Sequence, residues 1–496
     1  MSGIQSLFGQ TVIYGLSSVI ARVLNFLLVP LYTVLFIPSE YAIISEMYAY
    51  AALLMILGSF GIETAFFRFS EKTKESLKSV FGTSFWLLFI NASILFLLGG
   101  LFYKEIAVTI RHESNPEYVL YFLIIIALDL LTIIPFASLR HKNKAVKFAT
   151  IKTINIIINI TFNLFFLLLC PKLIQHGLLE PVIQKIYNPN ITVGYVFISN
   201  LIASATTILI LLPDIIKNIK KPDYGTLIKI FKYSWPILLA GLAFIINESA
   251  DKILIKYLLP KGIAMRELGI YSACYKLSIF MTLFVQAYRF AAEPFFFNIL
   301  NRPNSKKIYA LMLHAFVVAA CFFFLLVTLY IDIIKLIIPN PLYHEGIVIV
   351  PIVLLANMFL GIYYNLSVWY KVTDQTKYAA IISGIGAIST IMLNIILIPA
   401  YGYIGAAWST LFCYFIMTAI SFYLGQAKYK INYNLKSILG CLFLTFVVFI
   451  LSHFSQQPLY QNIQLDNTVL FLLYTIFTFW QIKKIFKDNS KNNIII

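Results

Sequence analysis

The sequence predicts an all-α integral membrane protein, and three observations carry that prediction. Of the 496 residues, 60% are hydrophobic and only 12% are charged, whereas soluble domains contain about a quarter charged residues. The mean hydropathy is +0.85. Apolar runs recur along the whole chain, and a run of about 20 residues can cross the roughly 30 Å hydrocarbon core as a helix.

Fourteen membrane-spanning helices are predicted from these runs. The first run has neither the basic start nor the small-residue cleavage site of a signal peptide, so we interpret it as a retained span. The approximate limits are 11–36, 41–62, 80–102, 118–139, 149–170, 191–212, 235–259, 269–294, 308–331, 347–370, 378–398, 404–424, 437–454 and 467–482.

Basic residues alternate in number from loop to loop. Of the 38 Lys and Arg residues, 26 follow even-numbered spans and 7 follow odd-numbered spans. Because cytoplasmic loops are enriched in Lys and Arg, this asymmetry places both termini and the even-numbered loops in the cytoplasm. The net charge of +17 is spread over these loops, so no nucleic-acid partner is expected.

Two pairs of similar segments lie six spans apart. EYAIIS (Glu40–Ser45) opens the second span and ELGIYS (Glu267–Ser272) opens the eighth, while Asn163 in NLFFLLL corresponds to Asn394 in NIILIPA. Because the paired segments are separated by an even number of spans, they predict two lobes of the same orientation, related by a pseudo-twofold axis along the membrane normal. The predicted domains are a six-helix lobe, 1–226, a second six-helix lobe, 227–430, and two additional helices with a basic tail, 431–496.

Four charged residues share one face of the seventh span: Glu248, Asp251, Lys252 and Lys256 fall within an arc of about 140°. Three central charges cost about 9 kcal/mol, against about 6 kcal/mol gained from the apolar residues of that span. The face must therefore meet protein or water. Two interpretations stay open: an ion pair between Glu248 and Lys252 at i,i+4, or the lining of a hydrophilic cavity.

The first span carries a polar stripe of residues three or four apart: Thr11, Gly15, Ser18, Arg22 and Asn25. No carboxylate partner for Arg22 is visible in its own helix, so we expect this arginine to pair across helices or to face a ligand.

Other spans contain isolated ionisable residues. Lys276 and Arg289 lie in the eighth span, where Arg289 either forms a helix-end pair with Glu293 or faces a cavity. Asp129 in the fourth span is either a proton carrier or a hydrogen-bond acceptor for a neighbouring helix, and the same alternatives hold for Glu46 in the second span.

Catalytic signatures are absent from the sequence. It contains no G-x-S-x-G, H-E-x-x-H, Walker A or G-x-G-x-x-G motif, so an enzyme is not expected. The five cysteines lie in or beside apolar runs without metal-ligand spacing and are interpreted as packing residues, so neither a metal nor a cofactor is expected.

The segment Ser17–Phe69 resembles the first two helices of the polysaccharide or O-antigen flippase family. That family belongs to the multidrug, oligosaccharidyl-lipid and polysaccharide exporter superfamily. The resemblance continues more weakly through Tyr288–Phe296 and Asn394–Gly405. The matching elements of the first segment are Arg22, the PLYT run Pro30–Thr33, the pair at Glu40 to Ala42 (where the family has glycine), and G-I-E-T-A ending in Arg68 and Phe69.

This resemblance implies a flippase of the bacterial cytoplasmic membrane. Its substrate would be an undecaprenyl-pyrophosphate-linked oligosaccharide, a repeat unit of O-antigen, capsule or exopolysaccharide, moved by alternating access around a cationic cavity. Partners would be membrane lipids, a polysaccharide polymerase and other glycan-assembly proteins, and we expect a monomer. The implied substrate-binding residues are Arg22, Asn25, Arg68, Lys252, Lys276 and Arg289. The implied residues for charge balance or for coupling to a proton or sodium ion are Glu46, Asp129, Glu248 and Asp251.

Four other functions remain as alternatives. A lipid II flippase of the same superfamily would share the fourteen-helix plan and the arginines in the membrane. A cation-coupled drug extruder predicts a more acidic and aromatic cavity. A membrane glycan polymerase or ligase usually needs a large external loop, whereas the loop at 171–190 is short. A purely structural scaffold would not need charges in the middle of several spans.

Overall fold

The computed structural model describes residues 19–20, 22–72, 77–177, 180–300, 302–454, 458–460 and 463–490. The described chain is helical apart from loops, turns and one short hairpin. The helices cluster into two compact units: unit 1, Met1–Leu31 with Ile43–Ile245, and unit 2, Tyr32–Ala42 with Ile246–Ile496, each in its described part. The lobe limits at 226/227 and 430/431 stay predictions.

Unit 1 is built around helices that pack through large apolar side chains. Phe66, Phe81, Leu88 and Ile134 are almost fully buried in its main cluster. In chain order, the helices that begin before residue 246 are α1 Arg22–Leu35, α2 Pro38–Ser59 (which begins in the Tyr32–Ala42 part of unit 2), α3 Ile62–Lys72, α4 Leu77–Leu101, α5 Tyr103–Thr109, α6 Glu117–His141, α7 Ala145–Gln175 with a π-turn at Phe165–Leu169, α8 Glu180–Ile186, α9 Gly194–Asn218 and α10 Tyr224–Leu258.

Unit 2 contains the remaining helices and the hairpin. Trp369 is buried in one of its clusters, beside Tyr363 and Tyr414. The elements are α11 Lys261–Lys276, α12 Ile279–Asn298, α13 Ser305–Leu329, α14 Ile331–Ile334, α15 Ile349–Leu366, α16 Val368–Val372, α17 Lys377–Lys428, α18 Leu435–Phe454, β1 Pro458–Tyr460, β2 Ile463–Gln464 and α19 Leu465–Ser490, with 3₁₀ turns at Lys335–Ile337 and Pro341–Val348.

The prediction of an all-α, multi-span membrane protein is confirmed. In the described residues, each of the fourteen predicted spans coincides with a helix or with part of one. The eighth is α11 with α12, bent by 50°. The eleventh and twelfth together are α17, which is broken at Gly402 (φ 60°, ψ −143°), a conformation that only glycine adopts without strain.

The predicted ends of two spans are corrected. The second span does not stop at residue 62: after Phe60 and Gly61, both at positive φ, the chain resumes as α3, so Arg68 is helical and not in a loop. The seventh begins at Tyr224 instead of 235. Helical structure therefore extends beyond the apolar run in both cases, as α3 and as the first part of α10, because charged side chains near a helix end can extend into water.

Residues of the two repeat motifs play matching structural roles. Glu40 Oε2 accepts a hydrogen bond from Ile37 N (3.1 Å), and Glu267 Oε2 accepts one from Tyr403 N (3.0 Å), so each glutamate satisfies a free N–H near a helix start. Buried Asn163 and Asn394 each donate to the carbonyl four residues earlier, at 2.8 Å. These parallels agree with an origin by duplication.

Asp223 caps the N-terminus of α10, and its replacement by alanine is expected to lower the melting temperature. Its Oδ2 accepts a hydrogen bond from Thr226 N at 2.7 Å, and the hydrogen bonds from Thr226 lower the pKa of Asp223. Because the folded pKa lies below the unfolded value of about 3.9, the stabilisation is complete above about pH 5 and is lost as the pH falls through the folded pKa.

Thermal unfolding of detergent-purified protein, followed by tryptophan fluorescence from pH 7 to pH 3, measures this effect. Asp223→Asn, which keeps a capping oxygen, is the control and should unfold close to wild type at pH 7. A melting temperature unchanged by Asp223→Ala at pH 7 would contradict the prediction.

Candidate functional site

The charged residues of α10 meet tyrosines of α11 in unit 2. Asp251 is buried and accepts a hydrogen bond from the hydroxyl of Tyr271. Lys252 Nζ lies 3.3 Å from Asp251 Oδ1 and 4.8 Å from the centre of the Tyr275 ring. Two partners therefore stabilise the Asp251 carboxylate, and the Lys252 ammonium lies between a carboxylate and an aromatic face.

The ion pair considered for Glu248 and Lys252 does not form. Lys252 Nζ donates instead to the backbone carbonyl of Glu248 at 3.1 Å. We attribute the choice of Asp251 to its burial, because attraction between charges is stronger where the effective dielectric constant is lower. The Glu248 side chain stays exposed and lies in the neighbourhood of Tyr275, Tyr364 and Tyr414. Lys256, by contrast, is buried.

Lys276 ends α11 beside this cluster. Its side chain is exposed, and its charge interacts with that of Lys252. Among the described residues, no carboxylate forms an ion pair with Lys276. These residues form what we call the charged face of unit 2. Its members are Glu248, Asp251, Lys252, Lys276, Tyr271, Tyr275, Tyr364 and Tyr414.

Arg289 lies in a second cluster of the same unit. Its Nε is 3.2 Å from Glu293 Oε1, as the i,i+4 spacing predicts, and Lys371 Nζ lies 2.5 Å from the same oxygen. The guanidinium carbon lies 4.7 Å from the centre of the Tyr364 ring. Tyr364 is therefore near both Arg289 and Glu248.

Unit 1 contains a polar cavity of about 360 Å³. It combines two cations and two carboxylates with several amide and hydroxyl groups. The lining residues are Met55, Glu63, Asp129, Thr132, Ile133, Phe136, Arg140, Phe148, Lys152, Asn155, Asn200, Ser204 and Thr207.

The charges of the unit 1 cavity form two sets. Arg140 pairs directly with Glu63. Asp129 interacts with Lys152 and with the Ser204 hydroxyl, but in the described part of the chain Asp129 and Lys152 are not within ion-pair distance of each other. The Lys152 ammonium lies 4.3 Å from the centre of the Phe136 ring. The cavity therefore has an acceptor and a donor that do not satisfy each other.

Three further sequence candidates lie in unit 1, outside the residues that line its cavity. Arg22 and Asn25 are exposed on α1, while Thr11, Gly15 and Ser18 of their stripe lie outside the described residues. The guanidinium carbon of Arg68 lies 4.3 Å from the centre of the Tyr233 ring. Their roles, like those of the other candidates, stay predictions.

Glu46 is fully buried and lies 2.9 Å from His112 Nε2. This contact joins the second span to the loop after α5 and satisfies a buried carboxylate. The role of Glu46 stays a prediction.

Sequence reasoning missed Glu63, Arg140 and Lys152 as site residues. Arg140 lies at the predicted end of the fourth span and Lys152 near the predicted start of the fifth, where a basic residue is fully explained by topology. Glu63 gave no signal of its own, since it follows the predicted end of the second span. Among the four charged residues of the cavity, only Asp129 is marked as a candidate by the sequence, because it lies in the middle of an apolar run.

The described residues contain no group of three His, Cys, Asp or Glu side chains that could hold a metal ion. All five cysteines are buried and free, as expected of packing residues.

Comparison with known proteins places the chain in a family. The model of the family described as "Polysaccharide biosynthesis protein" matches residues 8–300, and no curated protein matches. The lipid II flippase MurJ, in an inward closed conformation, superposes with a TM-score of 0.73 at 16% identity, over 96% of this chain and 99% of MurJ.

Multidrug transporters have the same fold. The MATE multidrug transporter DinF-BH gives a TM-score of 0.64 at 14% identity, over 86% of this chain and 96% of that one. An inward-facing MATE transporter of the MOP superfamily gives 0.62 at 12% identity, over 84% and 94%. The fold is therefore that of flippases and multidrug transporters, and the chain belongs to the polysaccharide biosynthesis protein family.

Proposed function

We propose that the protein is a flippase that moves an undecaprenyl-pyrophosphate-linked oligosaccharide from the cytoplasmic to the outer leaflet of the bacterial cytoplasmic membrane. The observation that carries this proposal is the pair of cations Lys252 and Lys276 on the charged face of unit 2. A lysine ammonium in a membrane-spanning segment costs about 3 kcal/mol in hydrocarbon. An anionic headgroup would offset that cost, since the attraction between charges increases where water is excluded.

The Arg289 cluster supports the same substrate chemistry. Glu293 is shared by Arg289 and Lys371, so one positive charge is left over. The Arg289 cluster and the charged face together contain four cations and three carboxylates. The cations are Arg289, Lys371, Lys252 and Lys276, and the carboxylates are Glu293, Glu248 and Asp251. We infer that a pyrophosphate contacts this part of unit 2, with Glu248 available for a coupling proton or sodium ion. Cytoplasmic termini, a monomer, and contacts with a polysaccharide polymerase complete the proposal.

One observation favours a second candidate, a cation-coupled drug extruder. Glu248 is an exposed carboxylate beside three tyrosines, and aromatic faces with a carboxylate suit an organic cation. The family match over residues 8–300 and the excess of cations favour the lipid-linked glycan.

Mass spectrometry of lipid extracts from cells lacking the gene tests the proposal. We expect a complete lipid-linked repeat unit to accumulate while surface glycan is lost. An unchanged lipid pool with intact surface glycan would contradict a glycan flippase, and raised sensitivity to organic cations in the same cells would support the second candidate.

A further inference from the structure

We infer that the unit 1 cavity is a saccharide-binding site that takes one or two uncharged sugar rings of the transported glycan. This inference rests on the proposed function, because it assigns the sugar part of that substrate to a site distinct from the charged face. It stands on the charge balance, the free hydrogen-bonding groups, and the size and position of the cavity.

The charges of the cavity balance, which favours an uncharged ligand. Arg140 is paired with Glu63, and Lys152 is opposed by Asp129. A pyrophosphate would find no excess positive charge here, in contrast to the charged face of unit 2. A neutral molecule rich in hydroxyl groups meets no electrostatic penalty and can bond to both members of the separated pair.

The hydrogen-bonding groups of the cavity have unused capacity. Asn155 Nδ2 donates to Thr207 Oγ1 at 2.9 Å, and Asn200 Nδ2 donates to Tyr48 Oη at 2.8 Å. Each amide group has two donors and one acceptor oxygen, so each retains a donor and an oxygen for a ligand. With the Asp129 carboxylate and the Lys152 ammonium, the walls present both donors and acceptors, which suit the hydroxyl groups of a sugar.

Size and position also fit a sugar. A volume of about 360 Å³ lies near the lower end of the range for small-molecule sites, about 300–1,000 Å³, and has no room for a long lipid chain. Asp129 is at the middle of α6, whereas Arg140 is near its end, about 16 Å further along the helix at 1.5 Å per residue. The cavity therefore runs from mid-helix to the end predicted to face the cytoplasm.

Sugar binding to the full chain in lipid nanodiscs tests the inference. The probes are free glucose, galactose, mannose and N-acetylglucosamine, followed by saturation-transfer NMR. At least one sugar should bind to wild type, and its Kd should rise about tenfold or more in Asp129→Asn and in Lys152→Met, since each change removes a hydrogen bond to a charged group. Inorganic pyrophosphate should not displace the sugar.

Thr206→Val is the control for a change of a polar side chain outside the cavity. Thr206 and Thr207 are neighbours on α9, and both donate to the carbonyl four residues earlier at 2.8 Å, but only Thr207 lines the cavity. Thr206→Val should bind sugar like wild type. Should Lys152→Met reduce the yield of folded protein, Asn155→Ala removes a group from the same cavity wall.

Two results would overturn the inference: no binding of any of the four sugars, or equal binding by wild type and by the cavity variants. This failure is distinct from failure of the proposed function. Accumulation of lipid-linked glycan in cells without the gene, combined with no sugar binding, would retain the flippase and remove the saccharide site. Sugar binding without accumulation would retain the site and remove the lipid-linked substrate.

Discussion

Lys276→Ala is expected to lower the rate of glycan export by about tenfold to a hundredfold while leaving the protein folded in the membrane. The Lys276 ammonium is exposed at the end of α11 and interacts with Lys252 but with no described carboxylate, so its removal leaves no buried acidic partner behind. What is lost is a charge-assisted hydrogen bond to the anionic headgroup, worth about 1.5–3 kcal/mol. Surface glycan and the accumulated lipid-linked intermediate, quantified together, measure the effect.

Lys261→Ala is the matched control, because Lys261 is an exposed lysine at the opposite end of the same helix. It should export normally, and Lys276→Arg should recover part of the activity since it keeps the charge. Lys252→Ala should also lower export, but it leaves the buried Asp251 carboxylate without its cation, so the yield of folded protein is measured with it. Arg22→Ala is expected to lower export too, with partial activity in Arg22→Lys. Unchanged export in the alanine variants of Lys252 and Lys276 would refute the cationic site.

The fold could be predicted from the sequence because its strongest determinant is one-dimensional. A helix must be apolar for about 20 residues to cross the bilayer, and the alternation of Lys and Arg between loops checks the number of spans. Helix ends could not be predicted as well. Lys229 and Lys232 are part of α10, and Arg68 is part of α3, because a helix continues into water where charge carries no penalty.

The candidate site was predictable only where a charge stands out. Asp251, Lys252 and Asp129 interrupt apolar runs, so their cost in the membrane marks them. Lys152 lies near a helix end, where a basic residue is common and does not mark a site. Pairing was not predictable either: Lys252 lies beside both Glu248 and Asp251 on one helix, and the choice depends on Tyr271 of α11 and on which carboxylate is buried.

The chemistry of the two units suggests a division of the proposed substrate. Unit 2 presents cations in excess and tyrosine rings, whereas the unit 1 cavity has balanced charges and many uncharged hydrogen-bonding groups. A lipid-linked glycan has the same two parts, an anionic headgroup and uncharged sugars. Different variants should therefore damage different steps: Lys276→Ala the recognition of the headgroup, and Asp129→Asn the binding of the sugar.

Gly269→Ala is expected to lower the melting temperature by roughly 5 °C or more and to reduce the yield of folded protein. A Cβ at this position of α11 would overlap the carbonyl group of Pro38 and lie 2.9 Å from its Cα. The obstacle is backbone at the start of α2, so no side chain can rotate away. Either α11 or the chain near Pro38 must move.

Such a movement would break contacts that hold this segment within unit 2. The Tyr343 hydroxyl donates to Phe36 O at 2.7 Å, and the Tyr343 ring packs edge-on against Tyr41, with ring centres 5.9 Å apart. Phe36 and Tyr41 lie two and three positions from Pro38, so both contacts of Tyr343 depend on the placement of this segment. The cost of the added methyl group is therefore expected to exceed the local clash, at about 1–3 kcal/mol or more out of a typical total of 5–15 kcal/mol.

Gly262→Ala separates this clash from the intrinsic effect of alanine. Gly262 lies in the first turn of the same helix, and a Cβ there meets nothing within 4 Å, so the change should be neutral or slightly stabilising. Fluorescence-detected size exclusion and thermal unfolding in detergent compare the two variants. Equal melting temperatures would mean that α11 and Pro38 do not approach so closely. A loss confined to Gly269→Ala would show that the small residue of the ELGIYS motif is required because a backbone crosses it.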